Sequence, residues 1–377
     1  MRIDFVITEL FVGGAEKCLT EIALTMHHCG DRVRVFSLAS LPTGEQRGLV
    51  ERLQTAGITV QSAQCNSLWQ AVSAYKFLKK QFTDDTPDVV QTFLHHANVI
   101  GAYASTSANV TKCVAAIRVA QENRWRNQLE KISLKQVDHT LCVSRAVSQF
   151  AHRILGCNPS NTSVIPNGVN LDQFAQHRPA SWEAFDWPSD SRVALFIGRL
   201  DHQKGLELLQ EQIDRIAPSG TNQKLLLIGE GPLRKQIDQW VQEVGKDRVQ
   251  CLPWQVDVVP WIQASELLIL PSRYEGMANV MLEAMAAGKP VVCSLVEGSE
   301  ELLRDTATLQ GFQPGRSAEM ADRVQNLMEQ HELRQRLGSE NQDLIASRYS
   351  MPMIMDRYRN FYQALLANNS GQNTTKL

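Results

Sequence analysis

The sequence predicts an α/β protein of two doubly wound domains, each a parallel sheet covered on both faces by helices. Three observations lead there. The chain has 377 residues, roughly twice a common domain length. Short β-branched runs alternate with longer amphipathic stretches, the signature of strand, crossover helix and parallel strand. The alternation is interrupted once, by the polar, Pro- and Trp-containing segment 177–191 (HRPASWEAFDWPSDS), and then resumes. Apolar residues at 43% and charged residues at 21% suffice for two cores.

In chain order, RIDFVIT, RVRVFSL, ITVQSA, DVVQTFL, KCVAAIR, HTLCVS and TSVIP read as strands, with helices expected over 15–29, 45–56, 68–81, 97–107, 124–136 and 146–155. Segment 177–191 reads as an interdomain linker. RVALFIG, QKLLLIG, VQCLPW, ELLILPS and KPVVCS follow as the strands of a second sheet. The stripe in MIMDRYRNFYQALLA (353–367) predicts a last helix crossing back onto the first domain, and the small polar residues 368–377 read as a disordered tail. The domains are therefore expected at 1–176 and 192–350, with the return helix over 351–367.

A net charge of −2 gives no reason to expect nucleic acid as a partner. The balance is locally uneven: between Lys112 and Leu155 eight Lys or Arg face three acids, enough to meet phosphates or an anionic membrane. The eight cysteines are scattered without a C-x-x-C pair and read as reduced, mostly buried thiols. The first residues lack the apolar stretch of a signal peptide and no run is long enough to span a membrane. A cytoplasmic protein is expected.

Ligands of open α/β sheets bind beyond the carboxyl ends of the strands, and five loops there hold candidate residues. Gly13 and Gly14 follow the first strand, where backbone amides at a helix start can approach an anion; a tight strand-to-helix turn is the other reading, and the residues leave both open. In Gly198-Arg199-Leu200-Asp201-His202-Gln203-Lys204-Gly205, Arg199 and Lys204 can grip a diphosphate, one as a planar fork and one as a point charge. Gly229 and Gly231 in IGEGPL begin like a dinucleotide fingerprint, but Pro232 and the missing third glycine argue against NAD; they shape a turn, with or without a ligand. In PSRYEGMANVMLEA, Glu275 lies at the loop and Glu283 eight residues on, about two helical turns deeper, so both can face the same cleft, and amides at 276–279 can hold oxygens at the helix start. Glu283 sits among apolar neighbours and needs a specific partner. Finally, His95 and His96 end the fourth strand, where a neutral imidazole can bond a hydroxyl; pairing inside its own domain is the alternative, stronger for His95.

What is missing also narrows the chemistry. No D-x-D triplet supplies an acidic clamp for a divalent metal. His27 and His28 lack acidic or Cys partners in sequence and read as surface or capping residues. Neither a G-x-S-x-G elbow nor a Walker-A loop is present.

In order, GGAEK, HHAN, VSRAV, VIPNGV, GRLDHQKG, IGEGPLR and PSRYEGMANVMLEAMAAGKPVV resemble, over nearly the whole chain, the retaining GT-B-fold glycosyltransferases commonly called family 4. The most specific element is Glu275 and Glu283 combined with Gly198-Arg199 and Lys204-Gly205. The resemblance implies two Rossmann-like domains facing a cleft, an acceptor-side domain first and a nucleotide-sugar domain second. It implies that Arg199 and Lys204 bind the donor diphosphate and stabilise the leaving group, that Glu275 and the loop of Gly276, Met277, Ala278 and Asn279 contact the transferred sugar, and that Glu283 holds the ribose. Trp254 and Gln255 would flank the base, His96 would touch the sugar near the reacting centre, and Gly13, Gly14, Gly198, Gly229 and Gly231 would border the donor. Neither metal nor cofactor is implied. The donor is expected to be a UDP- or GDP-sugar and the acceptor a glycan or lipid-linked glycan of the cell envelope, with retention of configuration.

Lipid-linked acceptors make the basic segment 118–153 suggestive. Trp125, Leu129 and Ile132 share a helix face beside Arg124, Arg126 and Lys131, suited to shallow membrane contact; the opposing expectation, favoured by periodicity, is that this stripe packs on its own sheet. Competing activities are a non-hydrolysing sugar-nucleotide epimerase, which would act without an acceptor, and a catalytically silent sugar-nucleotide-binding subunit.

Overall fold

The computed structural model describes residues 1–120 and 123–367; the tail expected over 368–377 lies outside them. The chain divides into two compact units, one of Met1–Asn167 together with Pro352 onward, the other of Gly168–Met351.

The first unit is built on a parallel sheet of β1 (Arg2–Ile7), β2 (Arg32–Ser37), β3 (Thr59–Ser62), β4 (Val89–Phe93), β5 (Lys112–Ile117), β6 (His139–Cys142) and β7 (Thr162–Val164). Their order is β3-β2-β1-β4-β5-β6-β7. Strands buried on both faces read as continuous apolar runs, and Ile3, Phe5, Val6 and Ile7 of β1 are fully buried. The acid within that run, Asp4, is held by Arg34 on the neighbouring β2, whose Nε donates to Asp4 Oδ1 at 2.8 Å. This pairing offsets part of the cost of a buried carboxylate; burial still outweighs it and pushes Asp4 up to about 6. Helix Met351–Ala367 completes the unit: Tyr358 and Tyr362 are buried, and the Tyr362 hydroxyl donates to Gln91 Oε1 on β4.

The second unit repeats the plan with β8 (Arg192–Ile197), β9 (Gln223–Ile228), β10 (Val249–Leu252), β11 (Leu267–Leu270), β12 (Val291–Ser294) and β13 (Gly311–Phe312), in the order β10-β9-β8-β11-β12-β13. All pairings are parallel. β13 is absent from the sequence reading because two residues carry no pattern. Each sheet reverses its winding beside its first strand, between β1 and β4 and between β8 and β11, the place where such sheets present ligands.

Segment 177–191 is not a free linker. The units divide at Asn167 and Gly168, and 177–191 is packed into the second: the Ala180 N–H donates to the Pro260 carbonyl at 3.0 Å, Trp182 and Trp187 are buried, and Phe185 stacks on Trp261 with centroids 5.7 Å apart. The aromatic side chains that made this stretch irregular in sequence are its anchors. All eight cysteines are free; Cys18, Cys113, Cys142 and Cys293 are buried and Cys29 is exposed. Among the described residues no helix is long and apolar enough to cross a membrane.

Candidate active site

In the second unit the loops after β8, β9, β10 and β11 are stacked by backbone hydrogen bonds. Gly198 N–H donates to the Ile228 carbonyl at 3.0 Å, Gly229 N–H to Leu252 at 3.1 Å, Leu200 N–H to Glu230 at 2.9 Å, and Arg273 N–H to Gln203 at 2.7 Å. The stacking explains the glycines. A Cβ on Gly229 would overlap the Gly198 carbonyl, and one on Gly231 the Leu200 carbonyl. Gly205 has φ +63° and packs against the Pro271 carbonyl, a conformation and a space that only glycine tolerates.

This scaffold brings Lys204 and Glu275 into contact. Lys204 Nζ donates to Glu275 Oε1, and the pair is mostly shielded from solvent, at 14% and 11% side-chain exposure. Ser272 Oγ donates to the same carboxylate oxygen at 2.8 Å. The Glu275 N–H in turn donates to Glu297 Oε2 at 2.8 Å, and Gln203 Nε2 donates to the Tyr274 carbonyl at 2.9 Å. Ser272, Glu297 and Gln203 were not singled out in the sequence, although each fixes the loop that holds Glu275. Glu297 opens helix Glu297–Leu303 after β12, and Gly298 behind it packs against the Gly276 carbonyl.

Arg199 differs from Lys204. Its side chain is 69% exposed and its nearest acid, Asp201, is 3.6 Å from Nε. An exposed pair of that length contributes little, so the guanidinium can reorient toward an anion at small cost. Glu275 lies in the loop, as expected; helix Asn279–Ala286 starts four residues later, so Glu283 is half-buried one turn into the helix and not two. Gly276 and Met277 are buried, while Ala278 and Asn279 are half-buried. Trp254 and Gln255 follow β10, both half-buried, with Gln255 Nε2 donating to the Pro253 carbonyl at 3.3 Å. Arg234, also missed, ties the ends of β9 and β10 together through the Gly229 and Cys251 carbonyls at 3.3 and 3.2 Å.

In the first unit, Gly13 caps helix Gly14–His28 with an extended φ of −144°. A Cβ there would meet the Glu16 carboxylate, the movable end of a side chain, so neither space nor backbone demands a glycine. Burial pushes Glu16 up to about 7, against the pull of the Glu16 and Ala15 amides, with Glu9 adding to the rise and Arg118 opposing it. Arg118, at the end of β5, is buried and donates to Asn167 Oδ1. Helix His95–Ser107 begins two residues earlier than its pattern suggests, preceded by Leu94 at φ +70°. His95 is buried, its Nδ1 3.2 Å from Glu130 Oε2, and Asn98 Nδ2 donates to Glu130 Oε1 at 2.8 Å. His96 is exposed, edge-on to His95 with centroids 5.3 Å apart. Partial desolvation, then repulsion by His95 and Arg126, lower its pKa below the ordinary histidine value. That shift favours the neutral imidazole. Of the two alternatives left open for His95, internal pairing is the one seen, and His96 is the exposed member of the pair.

Residues 178–343 match the family model described as "Glycosyl transferases group 1", and residues 12–173 the model described as "Glycosyltransferase Family 4". Among curated relatives, alpha-D-kanosaminyltransferase of Streptomyces kanamyceticus is 31% identical over 179 residues, 47% of this chain and 46% of the relative. The UDP-Gal:alpha-D-GlcNAc-diphosphoundecaprenol alpha-1,3-galactosyltransferase of Escherichia coli is 27% identical over 249 residues, 62% and 63% of the two chains. The chain thus spans about half the length of the first of the curated relatives it matches. Among solved structures, Anabaena Alr3699/HepE in complex with UDP and glucose superposes with a TM-score of 0.81 at 21% identity, covering 97% of this chain and 100% of that one. At that identity the likeness establishes the fold.

Proposed function

We infer that this chain, matched in its first half by Glycosyltransferase Family 4 and in its second by Glycosyl transferases group 1, is a glycosyltransferase, and we propose that it moves a hexose-type sugar from a nucleoside-diphosphate donor with retention of configuration. The observation behind the donor assignment is the shielded Lys204 and Glu275 pair at the winding reversal of the second sheet. The relatives' names point to UDP-sugars and to diphospholipid-linked and polysaccharide acceptors, and we extend both to this chain.

In this reading the bond from the anomeric carbon to the terminal phosphate oxygen breaks as an acceptor hydroxyl bonds to the same face of that carbon. The acceptor proton passes to the departing phosphate oxygen. Lys204, already directed at the carboxylate that receives the sugar, places its ammonium where negative charge develops on the leaving diphosphate, and Arg199 folds in from solvent to share it. Glu275 accepts from sugar hydroxyls, Glu283 from the ribose, Trp254 and Gln255 flank the base, and the loop of Gly276, Met277, Ala278 and Asn279 lines the sugar. In the first unit, Gly13, Gly14 and His96 are the residues proposed to meet substrate, the His96 ring nitrogens able to accept or donate a hydrogen bond.

Release of nucleoside diphosphate from a panel of nucleotide sugars, with a membrane-glycan extract as acceptor source, tests the proposal. One base is expected to give product, and EDTA is expected to leave the rate unchanged, because two side-chain cations do the work of a bound metal. Activity lost in EDTA and restored by Mg²⁺ or Mn²⁺ would contradict this. Glu297→Ala, which frees the Glu275 amide, is expected to raise the donor KM about tenfold, the value of one charge-assisted hydrogen bond, with kcat much less affected; donor-saturation kinetics check it.

A further inference from the structure

Helix Arg124–Ser133 presents to solvent side chains that its own unit does not cover. Trp125 is 85% exposed, Leu129 57% and Ile132 44%, and Ile154 on the neighbouring turn Ala151–Leu155 is 43% exposed. The stripe does not pack on the sheet, contrary to the expectation from periodicity. The helix's inward face is made by Glu130 and Ser133, both buried and roughly a quarter-turn away. Glu130 spends its carboxylate on His95 and Asn98, so the helix is pinned by polar bonds and its apolar stripe is left over.

Charge surrounds this stripe with one sign. From 123 to 155 there are six basic side chains, Arg124, Arg126, Lys131, Lys135, Arg145 and Arg153, and two acidic ones, of which Glu130 is buried inward. Arg124, Lys131, Lys135, Arg145 and Arg153 are exposed, and the Lys131 stem lies against Gly156 at the end of the neighbouring turn, joining helix and turn into one surface.

We propose that this surface docks on an anionic lipid bilayer, with Trp125, Leu129 and Ile132 entering the headgroup boundary and the surrounding cations meeting lipid phosphates. Exposed aromatic and aliphatic side chains ringed by Lys and Arg are what such an interface requires. A second copy of the chain fits less well, because a symmetric contact of this patch with itself would oppose like charges. The helix whose outer face meets lipid also carries, on its inward face, the Glu130 that holds His95.

The test is sedimentation with phosphatidylcholine vesicles, plain or containing about one part in three phosphatidylglycerol, without donor or acceptor, so that its outcome is separate from that of the transferase proposal. The wild-type chain is expected to bind the anionic vesicles and leave the neutral ones, with binding weakened by salt. Trp125→Ser/Leu129→Ser/Ile132→Ser and Arg124→Ala/Lys131→Ala/Arg153→Ala are each expected to weaken binding, the latter about a hundredfold, without moving the thermal midpoint, since all six side chains are exposed. Equal partition onto both vesicles, wild-type binding by either variant, or sedimentation of the chain by self-association in the absence of lipid would overturn the proposal.

Discussion

Lys204→Ala lowers kcat/KM by about 10² to 10³, the usual cost of removing one preorganised group that meets developing charge. Gly205, in the left-handed conformation, turns the chain so that Lys204 leaves the β8 loop and reaches the β11 loop, where Glu275 waits. The ammonium is mostly shielded, and in such surroundings a charge acts more strongly than in water. The same shielding means that the alanine variant leaves Glu275 with Ser272 but without a counter-charge, and some stability is lost. The double variant Lys204→Ala/Glu275→Gln separates the two effects. It is expected to recover the thermal midpoint and to remain inactive. Turnover near wild type in Lys204→Ala would remove the diphosphate assignment.

Gly229→Val is expected to lower the thermal midpoint by about 2–12 °C and to abolish nucleotide binding. The Cβ would lie inside the contact distance of the Gly198 carbonyl, and the obstacle is backbone, which no rotamer change relieves. The loops after β8 and β9 must then separate, breaking the bonds from Gly198 to Ile228 and from Leu200 to Glu230. Overpacking of this kind costs about 1–3 kcal/mol, and a domain of this size loses about 2–4 °C per kcal/mol. Scanning calorimetry with and without nucleotide measures both parts. An unchanged midpoint would mean that the glycine serves the ligand and not the stacking of the loops.

The strands were legible because parallel strands buried on both faces must be apolar throughout, as in VALFI of β8 or LLLI of β9. The loops that hold the candidate residues were legible for the same reason, since they begin where those runs end. Other features depend on which distant segments meet. Glu297 lies after β12 and acts on the loop after β11, a relation set by sheet order and invisible in spacing. Trp182 and Trp187 look like linker residues until their docking places near Trp261 and Lys246 are known. The stripe of Trp125, Leu129 and Ile132 has a period that cannot say which way it faces; Glu130, an acid on the buried side, reverses the usual orientation. Glu275 falls in the loop as its position suggested, but the helix starts only at Asn279, so Glu283 stands one turn into it and not two. The loop glycines were noticed for ligand contact, but their carbonyl neighbours show that stacking alone demands Gly229 and Gly231.

The central claim is a nucleoside-diphosphate site built on Lys204 and Glu275, and the most direct measurement is a thermal-shift panel of UDP, GDP, ADP, dTDP and CMP on the wild-type chain and on Lys204→Ala. A ligand that binds only the folded state at about a hundred times its Kd adds about 2.7 kcal/mol, about 5–10 °C at this size. A shift of that order is expected with one of the diphosphates, and none in the variant. No shift with any nucleotide, or an equal shift in both proteins, would contradict it.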